Sequence, residues 1–194
     1  MRSLVRTETR KLLTSPRWWL VGAGMVLVSV AIAALVTVVG LTIDRSPLEL
    51  GAARDVGAII NVASGFAFVF AIVLGVLIVT GDRTDRTLAL TLLAGRSRGR
   101  VYAAKTIAAA VFGVLLAVAT LLATTIAVTG LLIAFGQPVS LTDPEILRRL
   151  TGGIAVLTLW AIAGVGIGAL VQHQLAAILG VVALTQAVEP VLRM

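Results

Sequence analysis

Five apolar runs fill most of this 194-residue chain and restrict it to one class of fold. They occupy residues 18–43, 56–80, 101–135, 150–171 and 175–188, and the only charge within them is Lys105, near the start of the third. About 20 helical residues cross a bilayer core roughly 30 Å thick. In hydrocarbon every backbone N–H and C=O must be bonded within the protein, so such runs cross as helices. The sequence predicts an all-α polytopic integral membrane protein, a single transmembrane domain over residues 1–194 with about five transmembrane helices. The first four runs are long enough to cross. The fifth is marginal and ends in Glu189-Pro190, so it is either a span that continues past Met194 in a longer parent chain or a partly inserted hairpin arm. The third is longer than a span requires, so its first turn should stand in the interface and its far end should project outward or break near Gly130.

Composition agrees, with 59% apolar and 13% charged residues and a mean hydropathy of +1.07, far outside the soluble globular range. A formal charge of +7 invites a nucleic-acid reading, but the basic residues stand at span ends, where anionic lipid and membrane orientation account for them. The bilayer is the expected partner, and nucleic acid is not. With no cysteine, the chain offers no disulfide, thiolate nucleophile or thiolate metal site.

Orientation follows from the basic residues. Arg2, Arg6, Arg10, Lys11 and Arg17 precede the first run, and Arg83, Arg86, Arg96, Arg98, Arg100 and Lys105 stand between the second and the body of the third. The opposite loops hold Arg45, Arg54, Arg148 and Arg149, accompanied by acids. The positive-inside rule puts the N-terminus and the loop 81–100 in the cytoplasm. Loops 44–55 and 136–149 then face outward.

The basic start resembles a secretory leader, but its apolar stretch is too long and no small-residue cleavage site follows, so the first span is read as retained. Before it, Met1, Leu4, Val5, Leu12 and Leu13 share one side of a helix whose other side carries Arg2, Arg6 and Arg10. That pattern suits an amphipathic interfacial helix over residues 1–16, ended by Pro16, with Trp18-Trp19 at the headgroups.

The loop 81–100 is the long polar interruption on the basic side. Asp82 suits an N-cap, Leu88, Leu92 and Leu93 share a helical face, Gly95 suits a left-handed C-cap, and Arg96, Arg98 and Arg100 crowd the C-terminal end, where a helix dipole favours cations. Such a helix either rests on acidic lipid or docks a partner.

An acid, a Thr, a Leu-rich helix, a small break, Arg-x-Arg and a Lys follow in order at Asp82, Thr87, Leu90, Leu93, Arg96, Arg98 and Lys105. The order resembles the coupling segment of permease subunits of type-2 ABC exporters. The start, with Glu8 and Lys11 ahead of Ser15-Pro16-Arg17-Trp18-Trp19, is similar to the elbow helix of that family. The resemblance implies a bacterial plasma-membrane subunit that forms a homodimer or pairs with a second permease around a path. It also implies drive from separate ABC ATPase subunits that hold the ATP and Mg. Leu88, Leu90, Leu92 and Leu93 would make the apolar contact with the ATPase, and Arg96 and Arg98 the polar one. Family members carry six spans, so the last is expected to be missing here.

The residues agree with that division of labour. The sequence has no G-x-x-x-x-G-K-[ST] phosphate loop and no soluble stretch the size of a nucleotide-binding domain. The runs hold no acidic residue and no deep basic one, which argues against proton or sodium coupling. Mild polar groups, Asn61 and Ser64 in the second run and Thr120, Thr124, Thr125 and Thr129 in the third, could line a path or bond to their own helices. Gly164 and Gly168, with Gly166, read as a packing contact or a dimer contact.

No catalytic or metal site is expected. Ser64-Gly65 with His173 lacks the glycine two residues before a nucleophile, since Val62 stands there. One His without neighbouring ligands cannot complete a metal shell. The alternative function is a non-transporting membrane scaffold or accessory subunit. The substrate is not readable.

Overall fold

The computed structural model describes residues 16–42, 53–84, 98–137 and 143–171, together with 176, 179 and 180. All regular structure among them is helical, in four long elements: α1 Pro16–Thr42, α2 Ala53–Thr84, α3 Arg98–Ala134 and α4 Pro144–Leu170. Each is long and apolar enough to cross a membrane. The chain is a multi-pass membrane protein on that ground. The expected interfacial helix at 1–16 and fifth span at 175–188 lie almost wholly outside the described residues.

Helix ends show where local chemistry overrides apolar length. Pro16 opens α1 at a first-turn position, where its missing N–H removes no helical bond. Of the two expectations for the far end of the third run, outward projection or a break near Gly130, the break does not occur, because α3 runs through Gly130 to Ala134. It ends at Gly136, whose φ of 70° is the left-handed conformation glycine adopts freely. Gly136 N–H donates to Ile133 O at 3.0 Å and Gln137 N–H to Leu132 O at 2.9 Å, the paired bonds of a Schellman cap.

The stretch 136–149, expected as a loop, belongs in part to α4, which starts at Pro144. Asp143 caps it: its Oδ1 accepts from Glu145 N–H at 2.8 Å, and its carbonyl accepts from Ile146 N–H at 3.1 Å. Glu145 then pairs with Arg148 at 2.6 Å and Arg149 at 2.8 Å, one turn on.

The contacts divide the chain into two compact units, and every helix contributes a stretch to each. The first contains residues 69–113 and 158–194 with the first 21 residues. In it α2 and α4 meet at Gly75 and Gly164. A Cβ at Gly75 would overlap the Ala161 carbonyl oxygen and lie 2.8 Å from Gly164 Cα, and one at Gly164 would overlap the Ile72 carbonyl oxygen. Small residues let the two backbones touch, the contact that draws helices together where lipid supplies no hydrophobic drive. Gly168 continues the contact against Val76, so the Gly164/Gly168 pair packs within the chain. Gly166 faces open space. Trp18 packs edge-on against Phe112, ring centroids 5.1 Å apart, while Trp19 beside it is exposed.

The second unit contains residues 22–68 and 114–157. Its core is built of side chains: Ile59 and Ile60 from α2, Leu121, Val128 and Leu132 from α3, Ile146 from α4 and Ala33 from α1.

Candidate functional site

The site named by the sequence is the connection between α2 and α3, and the structure describes its two helical flanks. Helix α2 continues through Asp82 to Thr84. Asp82, expected to open a separate helix as an N-cap, instead stands in the last turn of α2. The polar Gly81-Asp82-Arg83 does not stop the helix, because a further turn needs no apolar residue. Helix α3 starts at Arg98, with Gly99 and Arg100 exposed. Thr87, Leu88, Leu90, Leu92, Leu93 and Arg96 lie outside the described residues, as do Glu8 and Lys11 of the elbow and His173.

Lys105 is the informative member. The sequence grouped it with the docking residues, yet its side chain is 0% exposed. It lies about 10 Å along α3 from Arg98 at 1.5 Å per residue. Its Nζ donates to the Ile78 carbonyl oxygen of α2 at 2.8 Å. Ala104, Ala108 and Ala109, all fully buried, flank it along α3.

A buried ammonium without hydrogen bonds would be prohibitively costly. Here the Ile78 carbonyl oxygen of α2 is among its partners. The bond crosses between two helices at the base of the loop that joins them. It ties α2 to α3 at this level. Thr80, fully buried beside this level of α2, closes its own bond to Val76 O at 2.9 Å.

The proposed path residues separate into three groups. Asn61 is exposed on α2. Ser64 is half-buried and its hydroxyl donates to Ile60 O at 2.7 Å, which also occupies the one serine considered as a nucleophile. Thr125 and Thr129 likewise bond back to Leu121 O and Thr125 O, at 2.7 and 2.8 Å. Thr120 and Thr124, equally spaced on the same helix, are buried with no hydrogen-bond partner for their hydroxyls. The four path candidates thus differ in exposure, with Asn61 exposed, Ser64 half-buried, and Thr120 and Thr124 buried.

Sequence reasoning passed over Gly75, Ser29 and the burial of Lys105. Gly75 had a signal available, a glycine in mid-run that could receive the Gly164/Gly168 ridge. Ser29 had one too, falling on the α1 stripe Trp18, Gly22, Met25, Ser29, Ala33, Thr37 that faces inward. The chain matches no family model, and no curated protein or solved structure matches it either.

Proposed function

We propose that this chain is the membrane-spanning permease subunit of an ATP-driven ABC exporter, docking a separate nucleotide-binding subunit through the loop between α2 and α3. The observation that carries the reading is the ordered pattern Asp82, Thr87, Leu90, Leu93, Arg96, Arg98, Lys105 across that loop. The Lys105–Ile78 bond supports it mechanically, because a pull on the loop would reach α2 and α3 together. In this reading an elbow helix over 1–16 and about five spans sit in a bacterial plasma membrane with the N-terminus cytoplasmic. A homodimer or paired permease encloses the path, and ATP and Mg stay on the partner. Closure of two ATPase subunits would push paired helix ends rather than a single one.

Affinity purification of the full chain from native membranes, with mass spectrometry and an ATP hydrolysis assay on the eluate, tests it. The expected result is a nucleotide-binding subunit that is lost when Arg96 and Arg98 are both changed to Glu. Recovery without any ATPase would favour a non-transporting scaffold or accessory subunit.

A further inference from the structure

Lipid covers most of what these helices leave exposed at no cost. Leu27 and Leu35 of α1, Leu115 and Leu122 of α3 and Leu159 of α4 are more than half exposed, and acyl chains surround them as well as protein would. Exposed hydroxyls are settled locally, since Thr42 donates to Val38 O and Thr151 to Leu147 O, both at 2.9 Å. Asn61 is different. It is the chain's only asparagine, it is exposed on α2, and its side chain forms no hydrogen bond among the described residues.

Its depth makes that costly. The 26-residue span Val56–Gly81 is about 39 Å long at 1.5 Å per residue, against a hydrocarbon core of about 30 Å. Centred on that core, the span overhangs by about 4.5 Å at each end, and Asn61 stands five residues in, at about 7.5 Å. The amide is therefore inside hydrocarbon, where lipid offers it neither donor nor acceptor.

The surroundings of Asn61 form a face. Helix α2 is the most enclosed of the four spans, and the exposed members among its described side chains are Asn61, Val62, Gly65 and Phe66. Gly65 follows Asn61 by four residues and Phe66 follows Val62 by four, so all four share one side of the helix. Val62 is 47% and Phe66 50% exposed. A Cβ at Gly65 would meet nothing within 4 Å, so a second backbone can come close there. The whole patch belongs to the second unit.

We propose that this patch is the seam between two copies of the chain, with α2 packed against α2 and the two Asn61 amides bonded to each other across a twofold axis. Two copies inserted in the same orientation run parallel, so a residue on the axis meets its own copy at the same depth. An amide carries both donors and an acceptor, so Asn61 pairs with itself. Any other occupant would need a polar group at that same depth. A single asparagine in an apolar seam also fixes the register of paired helices. The seam rests on the homodimer in the exporter reading and names its surface; copy-to-copy contact and recovery of an ATPase are measured separately, so either can fail alone.

Because the chain has no cysteine, single replacements report alone. Val62→Cys, Gly65→Cys and Phe66→Cys, with Leu27→Cys on α1 and Leu159→Cys on α4 as exposed controls, are oxidised in native membranes, and the full chain is resolved by non-reducing electrophoresis. A disulfide needs Cα atoms within about 7 Å. The patch positions should give a dimer of twice the chain mass, several-fold more than either control. Asn61→Val placed in the Gly65→Cys chain should cut the dimer yield several-fold and leave the total amount of chain in the membrane unchanged. Patch yields no greater than the controls would overturn the seam, and so would an adduct of another mass, which would give the patch to a different protein. A yield indifferent to Asn61→Val would overturn the amide pairing.

Discussion

In one unit the backbones of α2 and α4 touch at Gly75 and Gly164, whereas in the other Ile59, Ile60, Leu121 and Ile146 stand between the helices. Both arrangements close a core within lipid, where apolar side chains gain little by leaving one hydrocarbon surface for another. What remains is contact, and these two seams obtain it differently. The glycine seam gives dispersion and peptide-dipole proximity with no side chain to rearrange, so it has no slack. The side-chain core gives interdigitation, and neighbouring rotamers can absorb part of a change. The unit with the glycine seam also holds the buried Lys105.

The largest effect expected from this contrast is at Gly75. Gly75→Val puts atoms where the Ala161 carbonyl and Gly164 Cα already are, and the cost should be about 3 kcal/mol or more. In detergent its thermal unfolding midpoint should collapse and the monodisperse species disappear. A variant with an unchanged midpoint would break the comparison outright.

Leu121→Ala in the side-chain unit removes a buried branched residue and should cost about 2–4 kcal/mol, with the chain still folded. Thermal unfolding of both variants in one detergent gives the comparison directly. If Leu121→Ala proves the more damaging, the glycine seam is the softer of the two.

Lys105→Met keeps most of the stem volume and deletes the ammonium. The loss should be about 1.5–3 kcal/mol, the range for a hydrogen bond to a charged group. Amide hydrogen exchange should show the added opening confined to the ends of α2 and α3 near Ile78. Protection unchanged there would mean that Lys105 does not tie them.

The four spans were legible because uninterrupted apolar length is a local property and nothing else satisfies the backbone in lipid. Their ends were less so. The Asp143-Pro144 pair carried a readable cap-and-first-turn signal that apolar counting ignored, and the helical turn through Asp82 is polar on every residue after Gly81. The site was harder. A lysine near the start of a span reads as an interfacial side chain reaching for water, and only the inward register of Ala104, Ala108 and Ala109 turns it the other way. Thr120, Thr124, Thr125 and Thr129 look alike in sequence, yet two bond to their own helix and two do not. What separates them is the element each one faces, and a single sequence does not state it.

Helix α3 sets a requirement on the membrane itself. Its 37 residues extend about 55 Å at 1.5 Å per residue, against a hydrocarbon core of about 30 Å. Even a tilt of about 40°, the upper end of what membrane helices show, accommodates only about 39 Å. Ile126 and Ile133, in the last turns of α3, are 69% and 67% exposed, so the excess length is greasy where it emerges. That excess has to be met by tilt, by local thickening of the bilayer, or by apolar turns standing in the headgroup layer.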